Sequence, residues 1–207
     1  RRGYYMGSKV TIAPGNLKYL SDSLFQMLND GYDEIHANCV YENVWKPEHA
    51  TELYFQCKQF ADKFLAERSA DDIFISLLDD QYGQPMSVSD NNNWCGGDGS
   101  MLAVDPDGNI YPCLRYMESS LGTDQPPLVV GNVRTGLALK PEEKECIHCM
   151  QCITRRSQST DECFYCPVAS GCSWCSAYNY QMTGSVNKRV TYICEMHKAR
   201  CLAIVYY

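Results

Sequence analysis

The stretch CIHCMQCITRRSQSTDECFYCPVASGCSWC, residues 146–175, contains seven of the 13 cysteines in the chain. Its cysteines are separated by gaps of two, two, ten, two, five and two residues, at Cys146, Cys149, Cys152, Cys163, Cys166, Cys172 and Cys175. Two thiolates that are two residues apart on a tight turn can bind one metal centre while backbone amides donate hydrogen bonds to the sulfurs. The stretch therefore predicts a metal-binding fold rather than a disulfide scaffold.

Length and charge narrow the class of protein. The chain has 207 residues, enough for one large domain or two small ones, and a formal net charge of −7 with a pI near 5.1. Nucleic-acid binding needs clustered Lys and Arg, so we expect no nucleic-acid partner. No segment approaches the ~18 consecutive apolar residues of a membrane span, so we also expect no membrane partner and a cytoplasmic location.

The number of cysteines points to metal in a reducing compartment. Thirteen cysteines in a cytosolic chain indicate metal or iron–sulfur ligation, and an odd number leaves at least one thiol unpaired in any disulfide scheme. Zinc and [4Fe–4S] clusters both accept four thiolates, and spacing alone does not choose between them.

The first half of the chain has the pattern of an α/β domain. Strands are predicted at residues 8–14, 32–41 and 71–78, with helices beginning after Asn16 and at Pro47. Alternating strands and helices with short connections are typical of parallel, right-handed α/β units. Two and a half units do not close a barrel, so residues 1–85 are predicted to be the C-terminal part of a larger α/β domain.

A second, α+β domain is predicted at residues 86–207. The composition becomes polar and Gly-rich near residues 84–93, which favours a domain boundary there. Asp105-Pro106-Asp107-Gly108 then places Pro at the first central turn position and Gly where a positive φ is needed. This segment predicts a β-hairpin.

The cysteine order around this hairpin resembles that of a known family. Cys95 is followed by twelve residues, Gly108, four residues and Cys113, and then by the later run from Cys163 to Cys175 and by Cys194. This order closely resembles the SPASM domain of radical SAM peptide and protein maturases. The chain departs from the family pattern in its last gap, which is two residues rather than three.

The resemblance extends to both ends of the chain. TIAPGNLKYL and EIHANCVYENVW, residues 11–20 and 34–45, look like strand units of the partial (β/α)6 radical SAM barrel. In that barrel the strand with Asn38 and Val40 passes near the adenine of S-adenosylmethionine, which makes them candidate cofactor-binding residues, with ordinary packing as the alternative. CPVASGCSWCSAYNYQ and ICEMHKAR look like the maturases of cysteine-repeat peptides.

The resemblance implies two auxiliary [4Fe–4S] clusters. One would be bound by Cys95, Cys113, Cys175 and Cys146, with Cys149 and Cys152 as alternatives to Cys146 or as parts of a further site. The other would be bound by Cys163, Cys166, Cys172 and Cys194. Zinc can take the place of iron in such a domain after purification in air.

The resemblance also implies a role in a longer enzyme. The Cys-x3-Cys-x2-Cys motif that binds the catalytic cluster of radical SAM enzymes does not occur in the 207 residues. We therefore expect a C-terminal portion that needs a radical SAM half to bind S-adenosylmethionine and a third cluster. Its partner would be a ribosomal precursor peptide, and this chain alone would be inactive.

Two other functions were left open by the sequence. The same thiolates could build zinc knuckles in a non-catalytic interaction module, or the chain could be a ferredoxin-like electron carrier. Outside the clustered cysteines, Cys39, Cys57 and Cys201 are predicted to be small core residues. His148 and His197 are predicted to make local hydrogen bonds rather than to bind metal.

Overall fold

The protein has a mixed α/β structure that divides into two compact units. The computed structural model describes residues 6–67, 73–93, 95–98, 100–122 and 125–207. Unit 1 comprises Arg1–Met86, Pro167–Ser173 and Thr191–Tyr207, and unit 2 comprises Ser87–Cys166 and Trp174–Val190. The sequence predicted two contiguous domains. In the structure, the later segments Pro167–Ser173 and Thr191–Tyr207 belong to unit 1.

The described residues form eight α-helices and seven strands. The helices are α1 Leu20–Asn29, α2 Pro47–Glu67, α3 Glu118–Leu121, α4 Pro141–Gln151, α5 Arg155–Gln158, α6 Asp161–Phe164, α7 Ser176–Thr183 and α8 Cys194–Tyr206. The strands are β1 Gly7–Ile12, β2 Glu34–Cys39, β3 Phe74–Ile75, β4 Ala103–Val104, β5 Asn109–Tyr111, β6 Gly131–Asn132 and β7 Gly136–Leu137.

Unit 1 contains a parallel three-stranded sheet in the order β1-β2-β3. Gly7 lies opposite Glu34 on β1 and β2, and Glu34 lies opposite Phe74 on β3. Helix α1 follows β1 and helix α2 follows β2, so the predicted parallel alternation of strands and helices is confirmed.

The third strand is shorter than the sequence predicted. Only Phe74–Ile75 pair with β2, and Ser76–Leu78 form a 3-10 helix; Asp71 and Asp72 of the predicted strand lie outside the described residues. The side chain of Ser76 explains the early end, because its Oγ accepts the Ala37 N–H at 2.9 Å. The Ser76 hydroxyl thus accepts the N–H of Ala37 in place of a backbone carbonyl of β3.

The core of unit 1 is formed by the sheet and helices α1, α2 and α8. Leu24 of α1, Phe60 of α2 and Ile35 of β2 are each fully buried in it. Met196 and Ala203 of α8 join the same core, which explains why the last helix belongs to unit 1.

Unit 2 contains an antiparallel sheet of four short strands, β4-β5-β6-β7. The predicted hairpin between β4 and β5 is confirmed, and Gly108 has a φ of 84° at the turn. The Asp105 carboxylate organises this turn by accepting hydrogen bonds from Asp107 N, Asn109 N, Asn109 Nδ2 and Tyr111 Oη at 2.8–3.0 Å.

The core of unit 2 joins the hairpin to α4 and α7. Tyr116, Leu121, Met150, Ile153 and Ala177 are buried together there. Within the described part of the chain, no helix is both long enough and apolar enough to cross a membrane.

Candidate metal centre

Two of the predicted cysteine ligands lie at the N-terminal ends of helical segments in unit 2. Cys113 is the N-cap of the 3-10 helix Leu114–Tyr116, and the backbone N–H groups of Arg115 and Tyr116 oppose the rise that burial causes in the pKa of its thiol. Cys175 is the N-cap of α7, and its sulfur accepts the Tyr178 N–H at 3.4 Å. Such N–H donors stabilise thiolates, the form in which cysteine binds a metal.

The thiol of Cys95 lies close to both of these groups. Burial raises the pKa of Cys113, and the neighbouring thiols of Cys175 and Cys95 raise it further. Burial likewise raises the pKa of Cys175, with Cys95 adding to the shift. Gly97 lies between the segments, since a Cβ added to it would be 3.5 Å from Cys95 Sγ and 3.9 Å from Ser176 Oγ. Three thiols from distant parts of the sequence therefore lie near one another.

Helix α4 places Cys146 on its buried side. Pro141 is the first residue of the helix, and the Glu143 carboxylate caps it by accepting the Leu139 and Lys140 N–H groups at 3.0 and 3.1 Å. Because side chains three and four residues apart share a helix face, Cys146 lies on the same side as Glu143 and Met150, both of which are buried.

Cys146 packs against the apolar core of unit 2 together with Cys113 and Cys175. Burial raises its pKa to about 11, with a smaller contribution from Cys149. Of the three cysteines in residues 146–152, Cys146 is therefore the one that shares an apolar core with Cys113 and Cys175.

Cys149 and Cys152 lie on the exposed side of α4. Cys149 Sγ is 3.5 Å from Glu145 Oε1, and Cys152 Sγ is 3.6 Å from His148 Nε2. These contacts are local pairs one helical turn apart, and the predicted local hydrogen bonding of His148 is confirmed.

The cysteines expected to bind the second cluster are divided between the two units. In unit 2, Cys163 lies in α6 and donates its N–H to Thr160 Oγ1 at 3.4 Å, and Cys166 follows the end of that helix. In unit 1, the Cys172 N–H donates to Ala169 O at 3.1 Å, and Cys194 is the first residue of α8.

In residue type, the set Cys95, Cys113, Cys146 and Cys175 suits a four-thiolate cofactor, and Cys146 shares the apolar core with Cys113 and Cys175. The set offers half-buried thiols, an apolar environment and backbone N–H donors to sulfur, which are the features that hold and tune an iron–sulfur cluster. A single zinc ion requires a stricter arrangement of the four side chains than a cluster does, because all four sulfurs must lie about 2.3 Å from one point. Among the described residues, no group of three or more His, Cys, Asp or Glu side chains is arranged to hold a metal ion.

The remaining predicted residues are placed in unit 1. Cys57 and Cys201 are buried, as predicted, and Cys39 packs against the same core as Cys57. Asn38 is exposed at the carboxyl end of β2, whereas Val40 is half-buried and donates its N–H to Ile12 O at 2.9 Å.

Two buried arginines were not singled out from the sequence. Arg155 belongs to unit 2 and Arg200 to α8 of unit 1, and they are 6% and 7% exposed. A signal for Arg200 was present, because it falls four residues after Met196 and three before Ala203, on the buried stripe of a helix. This pattern is hard to recognise in the sequence, because Arg200 lies in the basic segment HKAR, residues 197–200.

No protein-family model matches the sequence, and no curated protein shows significant similarity to it.

Proposed function

We propose that unit 2 is an iron–sulfur domain in which Cys95, Cys113, Cys146 and Cys175 bind one [4Fe–4S] cluster. We further propose that the protein serves as the auxiliary-cluster portion of a radical SAM enzyme that modifies a ribosomally made peptide. The observation behind the first proposal is the proximity of the Cys95, Cys113 and Cys175 thiols. The second rests on the resemblance of the cysteine order to the SPASM domain.

Independent features of the site support ligation over inert burial. Inert core cysteines need no hydrogen-bond donors, yet the Cys175 sulfur accepts the Tyr178 N–H at the start of α7, and Cys113 is likewise the N-cap of a helical segment. Burial and mutual repulsion disfavour thiolates at this site without a cation. A bound iron–sulfur core would remove that penalty, because it replaces the protons of the thiols with positive metal charge.

The protein's own residues would fix the position and the surroundings of the cofactor. Tyr116 is fully buried three residues after Cys113, and Trp174 packs against the same core beside Cys175. In these positions the rings would limit the access of water to a bound cluster, and solvent access is one of the factors that set the reduction potential of a cluster. When bound, the cluster would supply one-electron redox chemistry.

Metal binding would also support the fold of unit 2. Its strands are only two or three residues long, so the sheet by itself offers few backbone hydrogen bonds. Ligands at Cys95, Cys113, Cys146 and Cys175 would join the hairpin to α4 and α7. Cluster binding would then contribute directly to the free energy of folding.

The test is anaerobic reconstitution of the full chain with iron and sulfide. We expect about four iron and four sulfide at the proposed site, and about eight of each if Cys163, Cys166, Cys172 and Cys194 bind the second predicted cluster. Replacing both Cys113 and Cys175 by Ala should remove about four iron per chain. The matched control replaces Cys57 and Cys201, which are buried in unit 1, and should keep the full iron content.

The metal content also separates this function from a zinc-binding interaction module. One or two zinc ions, with no broad visible absorption after reconstitution, would contradict the iron–sulfur proposal. Equal iron content in the Cys113 and Cys175 double variant and in the control would contradict the assignment of these ligands.

A further inference from the structure

A cavity lies in unit 1 at the carboxyl ends of β2 and β3. It is partly open to solvent, and its empty space, with the part open to solvent included, is about 330 Å³. Its lining includes Asn38 near the end of β2 and Leu77 just after β3. In open parallel sheets, ligands bind outside the carboxyl ends of the strands. The position is thus one where a parallel sheet commonly binds a small molecule.

One polar wall of the cavity is formed by Arg200 and His197 of α8. Arg200 Nη2 donates to Gly171 O at 2.5 Å and lies 2.9 Å from His197 Nδ1. His197 Nε2 lies 2.6 Å from Val168 O, a pure acceptor, so Nε2 holds the proton and Nδ1 accepts from Arg200. In this arrangement the imidazole supplies no negative charge to Arg200.

The guanidinium of Arg200 has no negative partner among the described residues. Its contacts are a backbone carbonyl, an imidazole nitrogen and the ring of Tyr82, whose centroid is 4.7 Å from Arg200 Cζ. Its Nε is buried and has no hydrogen-bond partner in the described part of the chain. A buried cation normally has an anionic partner, because removal from water is costly.

The thiols of Cys39 and Cys57, which lie near Arg200, do not supply a negative charge to pair with its guanidinium. Arg200 lies near enough to Cys39 and Cys57 to lower the pKa of both, but burial outweighs it and raises each pKa to about 12. Both thiols are therefore neutral at pH 7. In addition, the N-cap residue of α8, Ile193, lines the same cavity and brings the positive end of the helix dipole toward it.

We propose that this cavity binds the carboxylate of a small molecule with an apolar body, and that Arg200 is its counter-ion. A guanidinium matches a planar carboxylate in shape and charge, and one cationic side chain balances one negative charge. Leu53, Leu77 and Met196 form the apolar wall that would contact the rest of the ligand. The proposal is independent of the iron content of unit 2, because every residue of the cavity belongs to unit 1.

Hexanoate is a suitable probe, and isothermal titration calorimetry on the full chain measures its binding. 1-Hexanol has the same apolar body without the charge, and inorganic phosphate has charge without the body. We expect hexanoate to bind at least about tenfold more tightly than either. Arg200→Gln should weaken hexanoate binding by at least about tenfold, whereas the exposed control Arg134→Gln should leave it unchanged.

A second variant keeps the test decisive if Arg200→Gln does not fold. Asn38 is exposed on the wall of the cavity, so Asn38→Asp introduces a carboxylate with little change in shape. We expect this variant to bind hexanoate at least about tenfold more weakly and to unfold at a higher temperature without ligand. Failure of hexanoate to bind the unmodified chain, or unchanged binding by Asn38→Asp, would overturn the proposal. Tighter binding of phosphate than of hexanoate would overturn the carboxylate assignment.

Discussion

Tyr116 donates a hydrogen bond of 2.8 Å to Ser176 and so joins the segment that follows Cys113 to the helix that follows Cys175, 60 residues later. Both residues are buried, and the Tyr116 hydroxyl also lies 3.3 Å from Met150 Sδ. The contact fixes the distance between two of the proposed ligand segments through the protein itself.

Tyr116→Phe removes this hydrogen bond and keeps the ring. We expect a loss of about 1 kcal/mol in the free energy of unfolding, because Ser176 loses a buried donor. Urea unfolding monitored by circular dichroism measures the change. Tyr165→Phe is the control, since Tyr165 is 64% exposed, and it should change stability by less than about 0.5 kcal/mol. Equal losses in the two variants would show that the Tyr116 contact does not stabilise unit 2.

Arg155 has a different role from that of Arg200, because its donors are used within unit 2. Its Nε, Nη1 and Nη2 donate to the carbonyls of Asp90, Phe164 and Ser87, each at 2.7 Å. Arg155→Gln should cost about 3 kcal/mol or more, because hydrogen bonds from a charged group are worth about 1.5–3 kcal/mol each.

Thermal or urea unfolding of Arg155→Gln measures that loss. Arg134→Gln is the matched control, since Arg134 is exposed in the same unit, and it should lie within about 0.5 kcal/mol of the unmodified chain. A loss below about 1 kcal/mol for Arg155→Gln would contradict a structural role for its three contacts.

The thiols should differ strongly in their reactivity in the metal-free protein. Cys149 and Cys152 are exposed on α4, whereas Cys57 is buried and its pKa is raised to about 12 by burial. A short pulse of iodoacetamide near pH 8 should therefore modify the two exposed cysteines first. Mass spectrometry of the digested protein identifies the modified positions, and early modification of Cys57 would contradict its placement in the core.

The buried Cys57 thiol should make the stability of unit 1 depend on alkaline pH. Its pKa rises from 9.0 to about 12, chiefly by burial, so the unfolded chain loses this proton at a lower pH than the folded chain. The stabilising contribution is present below about pH 9 and decreases as pH rises toward 12, by about 1.4 kcal/mol per pH unit.

Chemical unfolding at several pH values between 8 and 10.5 tests this contribution. The stability difference between the unmodified chain and Cys57→Ala should shrink as the pH rises, because the variant lacks the titrating group. Leu24→Ala also removes a fully buried side chain but no titrating group, so its stability difference should stay constant with pH. A constant difference for Cys57→Ala would contradict the raised pKa.

Local features of the fold followed directly from the sequence. The hairpin could be predicted because Pro106 fixes φ at the first central position of the turn and Gly108 tolerates the positive φ that the turn needs, which it has in the structure. Helix α2 could be predicted because Pro47 suits a first helical turn and the following apolar residues recur at helical spacing. In contrast, the length of β3 depends on a hydrogen bond between Ser76 and Ala37, residues that are 39 positions apart.

The sequence by itself determined the parallel alternation of strands and helices, the hairpin turn and the set of cysteines proposed to bind metal, because these depend on local backbone preference and on residue type. Tertiary structure decided that Cys95, Cys113 and Cys175 lie near one another, and that Cys146 packs with Cys113 and Cys175 while Cys149 and Cys152 face solvent. It also decided that α8 buries Arg200 beside a cavity of unit 1. The physical reason is that burial and charge pairing depend on contacts between residues far apart in the chain, and these contacts form only when the helices and sheets pack.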